Sequence, residues 1–123
     1  FIYKVFGFAY TRELELLQEA GFHPLEVIQA ATRNGAELIG IDDVTGSITP
    51  GRRADIVLVN GDPIANFKLL YGTGHMYLDR ETNTLGRKGG VSYTIKDGVV
   101  FDAKALLADV KAMVASAKHG ASN

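Results

Sequence analysis

Apolar side chains near the start of the chain recur at helical spacing: Tyr10, Leu14 and Leu17, then Leu25, Ile28 and Ala31. Intervals of three and four residues place such side chains on one helical face. Thr11 is the expected N-cap of the first helix, with Glu13 and Glu15 near the positive end of its dipole. Gly21 is its expected stop, as a C′ residue. Pro24 suits the first position of a second helix, where a missing N–H costs nothing, and His23 before it reads as an N′ or N-cap residue. Asn34-Gly35-Ala36-Glu37 has the form of a capping box. It predicts a break near Arg33 and a third, short helix ending at Gly40.

The pattern then changes. Asp42 to Gly51 is a turn-rich connector containing Gly46, Ser47, Pro50 and Gly51, with Gly46-Ser47-Ile48 as a short strand. Ala54 to Val59 is apolar without alternation, as in a strand covered on both faces. It stops at Asn60-Gly61-Asp62-Pro63. Residues 66–90 hold five glycines and read as a long loop with one extra strand at His75 to Leu78. Val91 to Ile95 alternates with period two, and Asp97-Gly98 is a hairpin signal, so Val99 to Phe101 should return antiparallel. Asp102 can cap a last helix with an apolar stripe of Leu106, Leu107, Val110, Met113 and Val114; Lys111 and Lys118 suit its C-terminal half. The tail from His119 to Asn123 should fray.

The chain is 123 residues long and 46% hydrophobic, enough for one core, in a single domain or a piece of a larger one. Its 13 basic residues are scattered among 14 acidic ones, so no basic stripe exists to track a nucleic-acid backbone, and nucleic acid is not expected as a partner. The absence of cysteine excludes a disulfide framework, a thiolate nucleophile and Cys-ligated zinc, and fits a cytoplasmic protein. No apolar run approaches the roughly 20 residues of a membrane span, and Phe1 to Tyr10 lacks the parts of a signal peptide, so no membrane association is expected. Those first residues read as mid-fold sequence, which is the expectation for a truncated frame or a processed product.

A metal site needs converging ligands at intervals such as i, i+2 on a strand or i, i+4 on a helix, and His23, His75 and His119 match neither. Ser47, Ser92, Ser116 and Ser122 lack the Gly-x-Ser-x-Gly elbow. Gly86-Arg87-Lys88-Gly89-Gly90 does not match a P-loop, so phosphate cradling is not expected. Asp42-Asp43 reads as a solvated turn and Glu13 with Glu15 as helix N-terminal charge. No catalytic residue and no metal ligand is assigned to this chain.

The order of features carries more information than any single motif. The run from Gly21 to Gly40 with its Ala30-Ala31-Thr32 centre, the stretch Gly46-Ser47-Ile48-Thr49-Pro50-Gly51-Arg52-Arg53-Ala54-Asp55-Ile56-Val57-Leu58-Val59, and Thr94-Ile95-Lys96-Asp97-Gly98-Val99-Val100-Phe101 together resemble the C-terminal end of the amidohydrolase superfamily. The branch most similar is that of the imidazolonepropionase-like and Xaa-Pro dipeptidase-like hydrolases. The resemblance implies an α/β fragment: the closing helices of a (β/α)8 barrel, part of a small composite β-sandwich domain and a C-terminal helix. On that reading residues 1–41 end the barrel, 42–102 belong to the composite β domain with a long loop at 66–90, and 103–123 form the helix and frayed tail. Small Ala30 and Ala31 would permit close helix packing, and Gly51 after Pro50 the turn that aims Ala54 to Val59 into the β domain.

Members of that superfamily hold one or two divalent ions, usually zinc, through a His-x-His, a carboxylated lysine, two further histidines and an aspartate after the eighth strand. None of these maps onto this chain. The resemblance therefore implies a divalent metal, zinc, in the complete enzyme and none in this piece. The aspartate would fall a few residues before Phe1, which puts Phe1 to Tyr10 on the loop after strand eight, at the face of the barrel that carries active sites. Tyr3, Lys4 and Tyr10 are the candidate substrate-binding residues; the competing reading is that Phe6, Phe8 and Tyr10 pack the barrel mouth. The implied reaction is attack by metal-bound hydroxide on an amide or other C–N bond of a small molecule or peptide, such as a dipeptide or N-acyl amino acid. The alternative is a free-standing interaction module without catalysis. Unfinished sheet edges and apolar faces favour a homo-oligomer on either reading.

Overall fold

The computed structural model describes residues 7–120. Helix α1 spans Ala9–Glu19 and starts after Gly7 and Phe8. Thr11 does not cap it: the residue lies inside the helix and is 2% exposed, on the same face as Leu14. Burial of that face draws Thr11 into the helix, so Glu13 and Glu15 fall beyond the first turn. Glu15 instead meets Arg12 at 3.5 Å and Lys68 at 3.9 Å. The predicted stop holds. Gly21 has φ of +102°, its N–H reaches the Gln18 carbonyl at 3.0 Å, and the N–H of Phe22 reaches that of Leu17 at 3.2 Å. This pair of bonds is a Schellman closure, which a glycine at C′ permits without a Cβ clash.

Helix α2, Pro24–Gln29, begins as expected with Pro24 at its first turn, and the Glu26 carboxylate accepts from the His23 N–H at 2.7 Å. The expected break at Arg33 is absent. The chain continues through a π-helical turn at Ala30–Asn34 into α3, Gly35–Ile39. Asn34 keeps helical angles, φ −66° and ψ −34°, and caps nothing. Glu37 is not a reciprocal cap because it binds Arg33 at 2.9 Å, one turn back. Gly40 ends α3 as predicted, with φ of +73°.

Gly46-Ser47-Ile48 is a bend rather than a strand. A Cβ added at Gly46 would lie 2.7 Å from that of Ala36, so the connector here hugs the helix and cannot extend beside a sheet. Strand β1 is Ile56–Val59. Residues 66–90 are not a long loop, although the expected strand from His75 to Leu78 is present. They form a 3-10 turn at Phe67–Leu70 and a hairpin of β2, His75–Asp79, with β3, Thr84–Lys88. Tyr77 sits opposite Gly86 in that hairpin, and its ring occupies the space a Cβ would need, so the aromatic fills what the glycine leaves open. Strands β4, Val91–Lys96, and β5, Val99–Asp102, pair antiparallel around Asp97-Gly98, and β1 pairs antiparallel with the other edge of β4. Positive φ at both turn residues, 51° and 81°, matches the twist of the hairpin.

Within the described chain β1 is not covered on both faces, since neighbouring Val57 and Leu58 are 51% and 46% exposed. Asp102 caps α4, Ala103–Gly120, its Oδ1 accepting from the N–H groups of Lys104 and Ala105 at 2.8 and 3.1 Å. The helix runs past His119, where fraying was expected to begin; the last three positions of the expected tail lie outside the described residues. No described helix is long and apolar enough to cross a membrane. The core gathers Leu14, Val27 and Phe67, each at most 3% exposed, with Leu17, Ile28, Ala31 and Leu70 packed around them. Burying side chains of this size stabilises by about 1.5–3 kcal/mol each.

Candidate functional site

Of the predicted substrate-binding residues, Tyr3 and Lys4 lie outside the described residues. Tyr10 sits in the first turn of α1, 56% exposed, where partial burial of its ring pushes the phenol pKa up. Beside it, exposed Phe8 meets Tyr71 with ring centroids 5.7 Å apart and planes tilted by 37°. An aromatic patch thus marks the start of α1, and Tyr71 joins it from residues 66–90. Chain order gives no hint of that partnership, because it depends on Phe67 docking against α1.

The histidines are spread as their spacing implied. His23 is the N-cap of α2. His75 stands at the start of β2 with Nδ1 3.2 Å from the Met76 carbonyl, and His119 falls within α4. Among the described residues, no three His, Asp or Glu side chains are grouped so as to hold a metal ion. The donor set of the described residues does not fit the divalent ion that the superfamily implies. A shallow depression of about 790 Å³ beside His75 and Tyr77 also includes Asp62 and Asn66. Both are occupied locally: Asp62 Oδ1 accepts from the Ile64 N–H at 2.9 Å, and Asn66 Oδ1 from the Lys68 N–H at 3.0 Å.

The most strongly perturbed carboxylate is Asp55, in the Ala54-Asp55-Ile56 motif. Its Oδ2 accepts from Lys96 Nζ at 2.9 Å and from Arg53 Nε and Thr45 Oγ1, both at 3.2 Å; its Oδ1 accepts from the Asp97 N–H at 2.9 Å. The Lys96 hydrogen bond, followed by that from the Asp97 backbone, holds its pKa far below the usual carboxylate range. A perturbed group in a cleft often marks catalysis, but here every donor belongs to a joint. Asp55 ties the connector to the β4–β5 turn just before β1 begins, and the Gly98 N–H reinforces the joint through the Ala54 carbonyl at 3.1 Å. Arg52 fastens the other end, donating to the carbonyls of Thr45 and Asp42.

The described residues thus form a helical pair, a connector clasped by one aspartate and an open three-stranded sheet. The sequence profile of the Amidohydrolase family matches residues 6–101, and the chain belongs to that family. Adenine deaminase 4 of Rhizobium meliloti is 58% identical over 40 residues, 32% of this chain and 7% of that protein. Imidazolonepropionase of Geobacillus kaustophilus is 35% identical over 81 residues, 66% of this chain and 17% of that protein. A crystal structure of a Xaa-Pro dipeptidase with methionine bound in its active site superposes with a TM-score of 0.58 at 29% identity, covering 75% of this chain and 18% of that one. The chain therefore spans less than a fifth of these relatives.

Proposed function

We propose that this chain is the C-terminal scaffold of a metal-dependent hydrolase acting on amide or other C–N bonds, and that it is inactive alone. Residues 1–41 close the barrel, 42–102 contribute to a composite β domain and 103–123 are the terminal helix and its tail. The observation that carries the reading is the match over residues 6–101 of a chain whose described side chains hold no metal-binding group. The divalent ion, zinc, is assigned to side chains outside this chain. Tyr3, Lys4 and Tyr10 are assigned to the substrate pocket of the complete protein, whose substrate is a small amide, a dipeptide or an N-acyl amino acid. The exposed aromatic patch at the start of α1 supports that assignment.

The test is an assay of the isolated chain, with zinc supplied, against dipeptides, N-acyl amino acids and adenine, alongside metal analysis. The expected result is no turnover and no stoichiometric metal. Turnover together with tightly held zinc would overturn the reading. A second reading, self-association, rests on the large apolar side chains left open, with Leu38 86%, Ile48 83% and Leu85 71% exposed. On this reading the isolated chain is a dimer or larger by light scattering; a monodisperse monomer would refute it.

A further inference from the structure

Residues with cationic side chains from two elements line one cleft of about 590 Å³: adjacent Arg87 and Lys88 from β3, whose side chains leave opposite faces of the strand, and Lys104 and Lys111 from α4. Lys104 and Lys111 are seven residues apart, two helical turns, so they share a face, and Leu107 between them also lines the cleft. No carboxylate lines it. Lys88, Lys104 and Lys111 form no ion pair among the described residues, and Arg87 donates to Thr73 Oγ1 at 2.9 Å, which pins it beside the Gly72-Thr73-Gly74 turn.

Part of the wall opposite α4 is backbone of residues 72–73 and 88–90. A Cβ added at Gly90 would lie 3.0 Å from the Gly74 nitrogen and 3.1 Å from the Gly72 carbonyl oxygen, and one at Gly74 would collide with the Lys88 carbonyl. The 72–74 and 88–90 segments therefore pack main chain to main chain, which brings backbone and the Thr73 hydroxyl to the floor of the cleft beside Arg87. Like charges held together without counter-charges repel one another, and an anion between them relieves that repulsion while accepting several charge-assisted hydrogen bonds.

We propose that this cleft binds a small, multiply charged phosphoryl anion. The site is independent of the hydrolase reading. It also departs from the expectation that the glycines at 86–90 cradle no phosphate: the geometry is not a P-loop, and the charge arrives from α4.

Calorimetric titration of the chain with inorganic pyrophosphate, and with citrate at matched ionic strength, tests the assignment. Saturable one-to-one binding is expected, stronger for pyrophosphate than for citrate. Lys104→Ala and Lys111→Ala should each weaken it about tenfold, since a hydrogen bond to a charged group contributes about 1.5 kcal/mol or more. Arg80→Ala, which removes one positive charge away from the cleft, should leave binding unchanged. In the unaltered chain the amide resonances of Thr73 and Gly90 should shift with saturation, a readout independent of how the variants fold. Absent saturation, unmoved amides, equal weakening by Arg80→Ala, or tighter binding of citrate would each overturn the proposal.

Discussion

The helical third and the β region that follows it are held together by different means. Where α1 and α2 face each other the chain buries apolar side chains almost completely, with Val27 at 0% and Leu14 and Phe67 at 3% exposure. In the three-stranded sheet burial is scarce: Val99, Val100 and Phe101 of β5 are 57%, 60% and 41% exposed, and Tyr93 of β4 is 41% exposed. That region is secured by ladder bonds and by the Asp55 joint. The contrast teaches that the facing sides of α1 and α2 find their apolar partners within the chain, through Phe67, whereas the sheet has no fully buried apolar side chain of its own.

The contrast can be broken most forcefully at Phe67. Phe67→Ala should destabilise the chain by about 3–5 kcal/mol in urea unfolding, the usual cost of emptying an aromatic core site. Phe101→Ala should cost under about 1 kcal/mol, since much of that ring is exposed already; equal losses would erase the distinction. A smaller effect belongs to Asp55→Asn, which should lower the melting temperature at neutral pH. Because the folded state depresses this pKa from 3.8, the carboxylate's contribution is complete above that value. It drains away as the pH falls further, when the unfolded chain takes up the proton first. The gap between wild type and Asp55→Asn should therefore be constant down to about pH 5 and narrow in stronger acid; a gap that widens there would contradict the assigned role. The least effect on folding is expected at Val114 of α4, 49% exposed. Val114→Asp should shift stability by no more than about 0.5 kcal/mol. It should nonetheless reduce self-association in light scattering if that apolar stripe is a contact surface.

Signals confined to a few adjacent residues were legible in the sequence. Gly21, Pro24, Gly40, Asp97-Gly98 and Asp102 each act through their own backbone geometry or bonds to nearby residues, and the structure uses all of them as read. Signals that depend on distant packing were not. Thr11 looked like a cap because chain order does not reveal that its face would be buried. Residues 66–90 looked like a loop because their order comes from Tyr77 filling the space over Gly86 and from Phe67 entering a core formed by residues far earlier. Asn34 and Glu37 fitted a capping box, yet Arg33 offered Glu37 an ion pair within a continuing helix. For the candidate site, Tyr10 was expected on a loop ahead of the first helix and lies instead in the first turn of α1, while Tyr71 beside Phe8 was invisible. The charges at 87, 88, 104 and 111 could be gathered only once the hairpin and α4 were placed.

The π-helical turn at Ala30–Asn34 takes up one residue more than an ordinary helical turn would. In an uninterrupted α-helix that extra residue would rotate everything downstream by about 100°. The wide turn absorbs it, so that Ala36 still faces Gly46. The turn thus works as slack in the thread, and shortening it by one residue should disturb the contacts of α3 less than adding one to α2.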